Sequence, residues 1–119
     1  MDTLWLRRLR RKRALLLKRM ARIQDFVRGS VVLMKRPCTY PGCRKCASGE
    51  RHPTWVLTYS SGGRTRTVYL GKDRLPAARR SVEDYHHLMG LIEQVAQINL
   101  MLLRQQAAAS KGAQSDAKP

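Results

Sequence analysis

Apolar and polar positions along the chain divide it into two helical stretches with a strand region between them. In residues 3–28, Leu6, Leu9, Leu16, Met20, Ile23 and Val27 recur at three- and four-residue steps, interrupted by Arg13. That spacing predicts one amphipathic helix, with Asp2 or Thr3 to cap its start and Gly29 to end it. The segment "SVVLMKRP" (30–37) is rich in β-branched residues and closes on a proline, which predicts a short strand. In "TWVLTYSSGGRTRTVYLG" (54–71), two alternating runs flank Gly62-Gly63, the signal of a tight hairpin. With those glycines as the turn, Trp55, Leu57, Val68 and Leu70 share one face, which turns basic towards its tip through Arg64 and Arg66. Val56, Thr58, Ser60, Thr65, Thr67 and Tyr69 share the other. The pattern suits one face to burial and the other to phosphates.

From Asp73 to Gln106 a second helical region carries the stripe Tyr85, Leu88, Leu91, Val95, Ile98 and Leu102, widened by Val82, Met89, Ile92, Ala96 and Leu103. A face this broad is a core or a seam between helices. Ser81 and Asp84 form a candidate capping box, so a break near residue 80 is expected. Gly90 is expected to mark a close approach, and residues 107–119 a frayed tail. The expected organisation is a basic helix (1–29), a sheet with a cysteine-rich turn (30–72), a helical region (73–106) and a disordered tail (107–119). The fold class is α+β: a small three-stranded antiparallel sheet (about 30–36, 54–60 and 64–70) packed on a long C-terminal helix, with a basic amphipathic N-terminal helix.

Charge changes this picture from fold to partner. The 119 residues hold 24 Lys and Arg against 8 Asp and Glu, a net of +16. The excess is +8 in residues 1–30 and +9 in 31–80, while 81–119 carry −1. A field of this sign and size attracts polyanions, nucleic acid foremost and an anionic membrane surface second. Arg7, Arg8, Arg10, Arg11, Lys12 and Arg13 surround the first helix so densely that a solvated face does not account for them, and they are read as an anion-binding arm. Leu4, Trp5 and Leu6 beside the arginines keep a membrane-surface arm as an alternative. No stretch has the length of a transmembrane helix, and "ALLL" is too short for a secretory leader. A cytoplasmic protein with reduced thiols is expected, nucleoid-associated if it binds DNA.

All three cysteines lie in "CTYPGCRKCASGERH" (38–52), spaced Cys38-x4-Cys43-x2-Cys46-x5-His52. An odd number in so short a span does not suit a disulfide framework. Cys38, Cys43, Cys46 and His52 supply a Cys3His donor set for structural zinc, and a strand region of about forty residues gains from a staple. An unmetallated turn stiffened by Pro37, Pro41 and Pro53 accounts for the same residues, and both readings stand. No catalysis is expected. Glu83, Asp84 and Glu93 have no evident acid–base partner, and His86 and His87 project about 100° apart on a helix.

The chain resembles a family of small bacterial and archaeal proteins of unknown function. The likeness rests on "RGSVV" (28–32), "CTYPGCRKC" (38–46), "HPTWVLTY" (52–59), "GGRTRTVYLGKD" (62–73) and "QINLMLLRQ" (97–105). It departs from the family pattern at Cys43-x2-Cys46, where Cys-x-Cys is usual, and at His52-Pro53-Thr54, where His-Gly-Pro is usual. The resemblance implies the architecture above and association with mobile elements. More distantly, the hairpin resembles the arm-binding domains of tyrosine recombinases, which lay a three-stranded sheet in a DNA groove. That likeness implies contacts from Arg64, Thr65, Arg66, Thr67, Lys72 and Arg74, with no recombinase catalytic domain present.

The sequence thus points to a nucleic-acid-binding protein, with DNA favoured over RNA. Arg7, Arg8, Arg10, Arg11, Lys12, Arg13, Arg64, Arg66, Lys72 and Arg74 are the expected contacts. The alternative is an interaction module whose helices pair with a second copy or with a larger partner in a nucleoprotein complex.

Overall fold

Apart from Thr3 and Trp5, residues 3–22 are all Leu, Ala, Met, Arg or Lys, good helix formers, with no Gly or Pro among them. In the computed structural model, which describes residues 3–36 and 52–110, they form α1 (Thr3–Arg22). The strands β1 (Ser30–Arg36), β2 (His52–Ser61) and β3 (Arg64–Tyr69) follow, and then α2 (Leu75–Ser110). The architecture is α+β, with an antiparallel sheet in the order β1-β2-β3. No described helix is long and apolar enough to cross a membrane. The described chain divides into two compact units.

The first unit comprises α1 and the part of α2 from His87 onward. Leu16 of α1 is buried with Leu91, Val95, Ile98 and Leu102 of α2, and Leu6, Leu9, Met20 and Ile23 pack against this cluster. Leu6 to Ile23 of the first stripe and Leu91 to Leu102 of the second therefore form one seam, as heptad-like spacing on two neighbouring helices requires. Arg13, the interruption in the α1 stripe, donates a hydrogen bond from Nη1 to Asn99 Oδ1 at 2.9 Å.

The second unit runs from Asp25 to His86 and holds the sheet and the first turns of α2. Ser61 pairs with Arg64, Leu57 with Val68 and Val56 with Tyr69, so Gly62-Gly63 are the two turn residues the pattern predicts. Their φ angles of 60° and 77° are left-handed at both positions, as the hairpin turn of matching twist demands. On β1, Val31 pairs with Leu57, Val32 with Val56 and Leu33 with Trp55. The Trp55 face therefore also carries Val31 and Leu33. Leu70, one residue past β3, still donates its N–H to Trp55 O at 2.9 Å.

Several boundaries differ from expectation. α1 ends at Arg22 rather than near residue 28. Ile23 N–H closes on Met20 O at 3.1 Å, and Val27 N–H is committed to Ser81 O at 3.0 Å, so the intervening chain leaves the helical path. Gly29 therefore ends no helix. Its role is a close approach, since a Cβ there would lie 2.7 Å from Thr58 O. α2 is continuous through residue 80, with Ser81 and Asp84 inside it, and extends to Ser110 through alanines that propagate a helix well. Four of the residues expected in a tail, 107–110, are thus helical; 111–119 lie outside the described residues. A Cβ at Gly90 would meet nothing within 4 Å, so that glycine marks no close contact.

Candidate nucleic-acid interface

Neither hairpin face is uniformly covered, and on the hydroxyl-bearing face Tyr69 is 53% and Val32 39% exposed. Val56, on the hydroxyl-bearing face, has 0% of its surface exposed. Its face-mates Ser30, Thr58, Ser60 and Thr65 share a cleft of about 500 Å³ with Tyr85 and His86 of α2. On the other face Trp55 and Leu57 are only half-buried, while Val68 is 36% and Leu33 44% exposed.

The Trp55 face grades into charge towards the turn. The register sets Arg66 across from Tyr59 and Arg64 across from Ser61. Gly29 comes one residue before the pair Ser30–Thr58 and presents no side chain beside Tyr59. Arg28 donates from Nη2 to Ser60 O at 3.2 Å, adding a third guanidinium near the hairpin end. Arg64, Arg66, Lys72 and Arg74 are all exposed. The arrangement is a sheet surface of aliphatic and aromatic side chains with cations at one end, able to meet a phosphate backbone at its tip and flat groups along its length.

A second feature of this unit joins Trp55, expected on the face suited to burial, to a cation of α2. The Arg79 guanidinium carbon sits 4.7 Å from the centroid of the Trp55 ring. Around the pair opens a cleft of about 720 Å³, lined also by Lys72, Leu70, Arg80 and Glu83. Arg79 and Arg80 stand in "PAARR", just after the hairpin. Nothing in that run indicates that one of its arginines meets an indole more than twenty residues earlier.

In the first unit, Arg7, Arg8, Arg10, Arg11 and Lys12 are exposed, whereas Arg13 is half-buried and bonded to Asn99. Arg10 and Arg13 line a groove with Asn99, Leu103 and Gln106. Leu6 belongs to the helix-pair core, Trp5 is half-buried and Leu4 is exposed. Tyr69 is exposed and Tyr59 half-buried.

Cys38, Cys43 and Cys46 lie outside the described residues, as does Tyr40. His52 opens β2, where its backbone pairs with Arg36. Among the described residues no group of three or more His, Cys, Asp or Glu is placed to hold a metal ion.

Comparison with known proteins gives one family. The family described as a domain of unknown function, DUF6788, matches residues 6–80. The match takes in most of α1 as well as the sheet, and stops within the first turns of α2. No curated protein and no solved structure matches the chain.

Proposed function

This chain belongs to the DUF6788 family of domains of unknown function, and we propose that it is a nucleic-acid-binding accessory protein acting in the company of a mobile element. The observation that carries the reading is the row of side chains towards the hairpin turn, where Tyr59 and Arg66 stand across from each other and Arg64 continues the row. A net charge of +16, with nearly all of the excess in residues 1–80, supplies the long-range attraction. Lys and Arg contacts to phosphate give most of the affinity, and the sheet face adds shape or base contacts. DNA is favoured over RNA by the likeness of the hairpin to recombinase arm-binding domains. α1 contributes a second set of phosphate contacts through Arg7, Arg8, Arg10, Arg11 and Lys12. Action on DNA places the protein in the cytoplasm, at the nucleoid.

The test is a double charge reversal, Arg64→Glu with Arg66→Glu, read by electrophoretic mobility shift. Both side chains are exposed at the hairpin end, so circular dichroism is expected to be unchanged while affinity falls at least tenfold. Unchanged affinity with the fold retained sinks the reading.

One observation favours a second reading, an interaction module. In the helix-pair unit, Leu17, Met89, Ile92 and Leu103 are exposed, Leu103 by 60%. These are apolar side chains on the widened stripe of α2 and on α1, the kind of face that a further helix covers. Sedimentation of the protein with and without Leu103→Glu and Met89→Glu separates the two. A monomer in both cases leaves the module reading without support.

A further inference from the structure

The cleft beside Trp55 has properties that the hairpin tip lacks. Its volume of about 720 Å³ falls within the roughly 300–1,000 Å³ of small-molecule sites. One wall is an indole with a guanidinium over it at 4.7 Å, two flat groups of the kind on which nucleobases stack. Leu70 adds apolar lining, while Lys72, Arg79 and Arg80 bring three positive charges against the single carboxylate of Glu83.

We propose that this cleft takes one unstacked nucleotide, with its base against the Trp55–Arg79 pair and its flanking phosphates at Lys72 and Arg80. The inference rests on the nucleic-acid reading above and narrows its substrate class to single-stranded or locally unpaired nucleic acid. Three cations less one acid leave +2, the charge that one nucleotide and its two flanking phosphates require. A duplex buries the faces of its bases in its own stack, so it presents to the cleft only edges and phosphates. A single strand offers the face itself and pays little to do so. An acidic peptide would satisfy the cations but leave the indole without a stacking partner.

The experiment uses the full chain with Trp5→Phe, which leaves Trp55 as the sole indole. A dye-labelled oligonucleotide, alone or hybridised to its complement, is titrated with this protein. Anisotropy of the dye reports binding of any kind, and Trp55 emission reports occupancy of the cleft. The expected result is tighter binding of the single strand, with Trp55 emission quenched by it and not by the duplex or by poly-glutamate. Trp55→Ala is expected to weaken single-strand binding about tenfold, the scale of one lost base stack, with duplex binding unchanged and Trp55→Phe restoring most of the loss. Should Trp55→Ala fail to fold, Arg80→Glu with Lys72→Glu carries the test and is expected to abolish the preference for single strand. Rising anisotropy with unchanged Trp55 emission, or equal quenching by poly-glutamate, overturns the cleft and leaves the nucleic-acid reading standing. No anisotropy change with either oligonucleotide overturns both.

Discussion

Arg13 donates a 2.9 Å hydrogen bond to Asn99 where the apolar stripe of α1 breaks, so the interruption is itself a contact between the helices. A polar pair at the exposed margin of an apolar seam favours one pairing of turns between the two helices. It also separates Arg13 from its basic neighbours. Arg13→Ala is expected to lower the stability of the helix pair by about 1 kcal/mol, measured by urea unfolding. Arg10→Ala and Arg11→Ala are expected to change it little and to act on nucleic-acid affinity instead. If Arg13→Ala and Asn99→Ala are additive in the double variant, the two residues are not coupled and this account of the seam is wrong.

Two glycines are expected to respond to alanine in opposite directions. At Gly29 a methyl group would press on the backbone oxygen of Thr58 at 2.7 Å, and β1 and β2 must separate to admit it. Gly29→Ala should lower the melting temperature by several degrees. At Gly90 the same methyl group meets open space inside a helix, and Gly90→Ala should raise stability by up to about 1 kcal/mol. Thermal unfolding of the two variants checks both signs at once.

The hairpin turn gives a third contrast. With φ of 60° at Gly62 and 77° at Gly63, any L side chain is strained there, but asparagine least. Gly62→Asn is expected to be neutral, since Asn-Gly suits this turn. Gly63→Val is expected to cost about 1–3 kcal/mol and to loosen the β2–β3 register, which accelerated amide exchange at Arg66 and Val68 would report. Protection at those amides equal to wild type contradicts the assignment.

Much of the fold was legible because it is periodic. The seam formed by Leu16, Leu91, Val95, Ile98 and Leu102, the position of Gly62-Gly63 and the bounds of β1 all follow from spacing alone. What spacing did not reveal depends on partners distant in sequence. The end of α1 at Arg22 is tied to Val27 bonding Ser81, far along the chain, and the continuity of α2 overrides a plausible capping box at Ser81. The candidate site divides likewise. Arg64, Arg66, Lys72 and Arg74 were visible as exposed charge, but the meeting of Arg79 with Trp55 required the folded chain.

The central claim is that the basic surface is a site for nucleic acid rather than an aid to solubility. Its most direct test is the salt dependence of binding to a labelled random-sequence duplex. The account predicts a log–log slope of about −5 or steeper, corresponding to roughly six phosphate contacts at about 0.9 released counterions each. A flat slope, or no binding at low salt, would contradict it and turn attention to the exposed apolar face of the helix pair.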